Sequence, residues 1–139
     1  TKDEIKNYGV KFAEIYITTL KKVTDDPERY NILSNLSLIY KELSVKLLVV
    51  PVPDKIANTH LNLVNAFSKV SDSLPIVEQQ SKDPVRALLA LRIVQEALIN
   101  QVGLFTEVKT YFDQNGILFS NQGYGRLWGE NLPQSALAQ

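Results

Sequence analysis

Residues 54–80 read DKIANTHLNLVNAFSKVSDSLPIVEQQ, and their spacing decides the fold class. At about 100° per residue, Ile56, Ala57, Leu63, Val64, Phe67, Val70, Ser71 and Leu74 cluster on one side of a helix. Asn58, Asn62, Asn65, Lys69 and Asp72 form a stripe on the opposite side. An amphipathic helix over 54–80 follows. Pro75 lies late in it and is expected to kink it or end it early, because proline lacks an N–H and crowds the preceding turn.

Toward the N-terminus, Val49-Val50-Pro51-Val52-Pro53 breaks the pattern. Two prolines one residue apart cannot continue a helix and favour an extended link. Its valines are expected to pack over the end of the fold rather than await a partner. Upstream, Tyr30, Leu33, Leu36, Ile39, Tyr40, Leu43 and Leu47 predict one helix over 27–48, opened by Asp26-Pro27. Aspartate is a good N-cap, and proline suits the first helical position because no N–H goes unpaired there. Ile5, Tyr8, Phe12, Ile15, Tyr16, Leu20 and Val23 predict another helix over 2–24.

Toward the C-terminus, Asp83-Pro84 repeats the start signal and opens a helix over 84–114. This segment is apolar around most of its circumference, with one polar arc of Arg92, Glu96, Asn100, Gly103, Glu107 and Thr110. Such a helix is expected to be the most enclosed of the four. Asn115-Gly116 is a left-handed terminator. Beyond it Gly123, Tyr124, Gly125, Arg126, Trp128 and Gly129 lack a helical period. The expected organisation is a four-helix bundle over 1–115 with mainly antiparallel neighbours, and an irregular Gly/aromatic tail over 116–139 that packs on the bundle or docks a partner.

Composition narrows the function classes. The chain has 139 residues, 45% of them hydrophobic and 22% charged, which is globular rather than disordered. Lys+Arg and Asp+Glu balance at 15 each, so the basic surplus a nucleic-acid binder uses to neutralise phosphates is missing. No uninterrupted apolar run approaches the roughly 18 residues that span a bilayer, so no membrane insertion by these residues is expected. There is neither cysteine nor methionine, which excludes disulfides, thiolate metal sites and a cysteine nucleophile. Translation starts at Met, so Thr1 is expected to be a cut end, made by processing or by the choice of expressed segment, with a signal peptide or membrane anchor among the candidates for what preceded it.

The search for chemistry yields little. His60 is the only histidine and falls near the centre of the apolar face of residues 54–80. A buried acid/base or pH sensor is one reading. The favoured one is a core histidine hydrogen-bonded to a tyrosine, carboxylate or carbonyl of a neighbouring helix. No Glu-x-x-His occurs, so a di-metal bundle is not expected. Gly123-Tyr124-Gly125 lacks the strand, helix start and Lys-Ser/Thr of a phosphate loop. No catalytic residue, cofactor or metal is assigned. Candidate interaction residues are Asn58, Asn62 and Asn65, because asparagine is a poor helix former where lysine or glutamate would solvate the face better. The alternative is a tolerated polar face. Tyr124, Arg126 and Trp128 join them, since aromatics among glycines suit an interface or simple packing equally.

Val52-Pro53, Ala57, His60-Leu61, Asn65, Asp83-Pro84, Tyr111-Phe112 and Gly116-Ile117 together resemble a pattern in uncharacterised helical proteins of candidate-phyla bacteria, over residues 30–120. Those proteins carry a hydrophobic N-terminal segment ahead of a helical domain. The resemblance implies a membrane-anchored or secreted domain, located outside the cytoplasm, and transfers no catalytic residue. The expected function is a noncatalytic interaction or structural domain with a protein partner, such as an accessory subunit of an envelope, pilus or secretion assembly. One alternative is a carrier of a small apolar ligand or lipid, with a cavity between the third and fourth helices and His60 as its polar handle. Another is an enzyme using His60.

Overall fold

The computed structural model describes residues 1–129. Among them the chain is all-helical, with four long helices and one short one. They are α1 (Lys2–Asp25), the short α2 (Pro27–Tyr30), α3 (Leu33–Leu48), α4 (Ala57–Glu78) and α5 (Pro84–Gln114). Single 3₁₀ turns occupy Asp54–Ile56 and Tyr124–Trp128. Asp26 and Asp83 accept the backbone N–H of Arg29 and Arg86, so both Asp-Pro starts work as caps.

The helix expected over 27–48 is two helices, because the chain extends at Ile32 (φ −85°, ψ 123°). One bond across the break and one partner remote from it support it. Asn35 Nδ2 donates to Arg29 O at the end of α2. Glu78 Oε2, from the end of α4, accepts the Ser34 N–H at 3.1 Å in the first turn of α3. Ile32 has no side-chain oxygen to cap with, so the tertiary carboxylate replaces the missing local cap. Pro75 does not end α4, which continues to Glu78. A proline in the last turn forfeits only one intrahelical bond. Meanwhile Ile76 and Val77 stay half-buried.

At the other end of α5, Gly116 takes φ +68°. Ile117 N–H reaches Phe112 O, and Gly116 N–H reaches Asp113 O. That pair of bonds is a Schellman stop, satisfying carbonyls the helix leaves open. It turns the chain back toward α1, where Trp128 Nε1 donates to Gly9 O at 2.8 Å across 119 residues of sequence.

The main core joins α1, α3, α4 and the C-terminal half of α5 around Tyr8, Phe12, Leu43, Leu47, Leu63, Phe67, Val108 and Phe112. Aromatic edges dominate it. Phe12 meets Phe105 at 5.7 Å and Trp128 at 5.5 Å between centroids, and Phe112 meets Phe119 at 4.9 Å and Trp128 at 5.0 Å. A smaller cluster of Ala66, Val70, Leu74, Val94 and Ala97 joins α4 to the N-terminal half of α5. Between α4 and α3, the Ser71 hydroxyl donates to Ser37 O at 2.9 Å.

The burial of α5 runs against expectation. Its N-terminal half buries only a narrow line of small side chains, Ala87, Ala90, Val94 and Ala97. Val85, Leu88, Leu89, Ile99 and Val102 each stand more than half exposed. The reason is length. At 31 residues α5 is roughly 46 Å long, against roughly 33 Å for α4. The aromatic contacts of α1 reach α5 only at Phe105 and Phe112. By length and composition α5 is the one helix among the described residues apolar enough to cross a membrane, with a mean hydropathy of 1.3 over its most apolar window.

Candidate interaction surface

His60 sits where three elements meet, and its ring is 5% exposed. Nε2 lies 2.8 Å from Leu47 O in the last turn of α3. A carbonyl can only accept, so Nε2 carries the proton and Nδ1 is the acceptor. Tyr8 Oη of α1, 2.9 Å away, therefore donates to Nδ1. The imidazole thus adds a side-chain partner to a carbonyl in the last turn of α3 that also accepts the Val50 N–H at 3.3 Å. Phe12 packs edge-on to it at 5.9 Å. Burial pushes the His60 pKa below its ordinary value, with the Leu47 carbonyl partly offsetting, and burial pushes the Tyr8 phenol up, with Tyr111 adding to it. Both groups stay neutral at pH 7. Both ring nitrogens are engaged, and neither faces an open cleft, so the ring has no free lone pair or proton to offer a substrate.

Asn62 and Asn65 line an open groove of ≈970 Å³ between α4 and α5. Lys69 and Asp72 continue its α4 wall, and Ile93, Glu96 and Asn100 form the α5 wall. Asn58 is exposed but lies outside that lining. Thr59, its neighbour, donates to Glu107 Oε2 at 3.1 Å and closes the groove at one end. The space between α4 and α5 is thus an open groove of mixed lining, with Ala66, Ile93, Ala97, Ile99 and Leu104 beside the polar residues, rather than an enclosed apolar cavity.

The tail candidates separate. Trp128 is 4% exposed and wedged among Phe12, Phe105 and Phe112, so its ring is spent inside this chain and not offered to a partner. Arg126 is half-buried and folds onto its own turn, with Nη1 donating to Gly123 O at 2.7 Å. Tyr124 alone of the three is exposed. Residues 130–139 of the expected tail lie outside the described residues. The asparagine groove and the tail use different flanks of α5, so the sequence candidates do not converge on one site.

An exposed apolar surface on α5 was not among them. Val85, Leu88, Ile99 and Val102 are 67–71% exposed, with Leu91 and Leu98 at 39%. Leu88, Leu91, Gln95, Leu98 and Val102 repeat at spacings of three and four, the seam of a helix that pairs with another helix. That repeat was available in the sequence, masked by the apolar residues around the rest of the circumference.

No protein-family model, no curated protein and no solved structure matches this chain.

Proposed function

We propose that the chain is a noncatalytic interaction domain whose working surface is α5. One observation carries this: a contiguous apolar stripe, flanked by Arg92 and Glu96, left uncovered by every described residue. Patches of this kind on folded chains mark sites of association. In this proposal the four long helices form a bundle with mainly antiparallel neighbours. The short links between them support that, as do the pairs His60–Leu47 and Ser71–Ser37, whose numbers rise on α4 as they fall on α3. The resemblance to anchored or secreted helical proteins supports a place outside the cytoplasm, as an accessory subunit of an envelope, pilus or secretion assembly.

The test is cross-linking of the chain in its own cells, followed by native mass spectrometry, for the wild type and for Leu88→Glu/Ile99→Glu. An interaction domain comes out in defined complexes that the double variant loses while keeping its helical circular dichroism. Complexes that persist in the variant, or a wild type found only at 15.7 kDa, refute the proposal.

A further inference from the structure

The α5 stripe carries a symmetry that names its partner. Counted from Gln95, the exposed Leu88 and Leu91 on one side and Ile99 and Val102 on the other lie at offsets of seven and four residues each way, with Leu98 beside Ile99 at the edge of the face. Gln95 and the four residues at those offsets project within about 80° of one another around the helix. We infer that this face pairs with the same face of a second copy, α5 against α5 in antiparallel fashion, with a two-fold axis at Gln95. The inference rests on the interaction-domain proposal and makes its partner specific.

A two-fold interface must be self-complementary, because each patch meets itself reversed. The palindromic spacing satisfies that for the apolar residues: Leu88 meets Val102 of the other copy, Leu91 meets Ile99, and Gln95 meets Gln95. A carboxamide is both donor and acceptor, so two glutamines across an axis can hydrogen-bond each other. A single polar residue in an apolar seam fixes register. Charge agrees as well. Arg92 and Glu96 lie on the same rim of the stripe, with exposed side chains 3.6 Å apart within one chain. Reversal about Gln95 brings Arg92 of each copy alongside Glu96 of the other, giving two opposite-charge pairs on the rim.

The four apolar side chains of this face, 39–71% exposed, form the centre of the patch, and Gln95 with the flanking charged groups extends it toward the roughly 800 Å² per partner of a stable interface. A bilayer fits the same face less well. Arg92 and Glu96 lie within the length of the stripe, between Leu88 and Val102, and would be drawn toward hydrocarbon, whereas at a helix pair they remain in water.

The experiment is sedimentation over a concentration series, combined with single-cysteine cross-linking in a chain that has no cysteine of its own. The wild type is expected at twice 15.7 kDa. Gln95→Cys is expected to oxidise to a disulfide dimer. A Leu88→Cys chain is expected to cross-link with a Val102→Cys chain but not with itself. Gln95→Glu, which sets two carboxylates across the axis, is expected to weaken dimerisation at least about 100-fold at neutral pH. Val45→Glu, on an exposed part of α3, should not weaken it. A chain monomeric at every concentration overturns the pairing, as does Leu88→Cys cross-linking only to itself. If that monomer still loses a complex with a different protein in Leu88→Glu/Ile99→Glu, the interaction-domain proposal survives and only the self-pairing fails. If the monomer instead binds phosphatidylglycerol/phosphatidylcholine vesicles through the stripe, the face belongs to a bilayer and the self-pairing is likewise overturned.

Discussion

Thr19 is fully buried on α1, and its hydroxyl has no hydrogen-bond partner among the described residues. A buried hydroxyl without a partner loses its water for nothing in return. Valine has the same shape without that oxygen. Thr19→Val is therefore expected to raise stability by about 1 kcal/mol, measured as a higher urea midpoint at unchanged slope. A lower midpoint would mean that the hydroxyl has a partner after all. At this scale the sequence was readable where a residue has one dominant preference. Tyr8 and Phe12 fall on the apolar face of α1 and are buried. Thr19 and Ala13 are also buried, but small or polar side chains are carried inward by neighbours, and nothing in their own chemistry announces it.

At the scale of the element, the junction between α1 and the returning tail depends on Gly9. A Cβ there would lie 2.6 Å from Phe119 Cζ and 2.9 Å from Phe112 Cζ; Phe119 is half-buried, and Phe112 is wedged in the aromatic cluster and cannot give way. In an exposed helix Gly→Ala gains roughly 1 kcal/mol. Here the clash decides the sign. Gly9→Ala is expected to cost about 1–3 kcal/mol and to change the Trp128 fluorescence, since the same displacement disturbs the Gly9 carbonyl that accepts from the indole. A gain in stability with unchanged emission would show that the tail does not pack this closely. The start and end of α5 could be read from Asp83-Pro84 and Asn115-Gly116 because caps are local chemistry. The break at Ile32 could not, since the carboxylate that stands in for its missing cap is Glu78, far along the chain. The exposure of α5 was equally hidden. Hydrophobicity says how much surface a helix would bury, not how many neighbours of matching length exist to bury it.

For the whole molecule, falling pH acts through His60 and Glu42 in separate ranges. His60 is neutral when folded, with a pKa below the ordinary 6.5. Between those two values the unfolded chain binds a proton that the folded chain refuses. Stability is thus complete above about pH 7 and falls as pH drops through 6.5 toward the folded value, by up to about 1.4 kcal/mol per unit. Glu42 behaves differently. Lys22 and Lys46 hold its carboxyl below the usual range. Its contribution is present above the ordinary carboxylate pKa and fades only at lower pH. Denaturant midpoints between pH 7.5 and 5.5 should fall for the wild type and stay nearly level for His60→Gln, whose amide can still donate toward Leu47. Equal slopes in the two proteins would remove His60 as the cause.

The bond from Trp128 to Gly9 also sets a timetable. The 119 residues that separate them take on the order of 6–24 s to synthesise at the ribosome. For the later part of that interval α1 has emerged from the ribosome while the indole and Phe119 that cover it do not yet exist. The Gly9 carbonyl and the aromatic face beside it stay wet, and α1 is open to chaperones or to the α1 of a neighbouring nascent chain. The aromatic core is therefore sealed by one of the later described stretches to be made, and the domain reaches its native form as a late event rather than helix by helix.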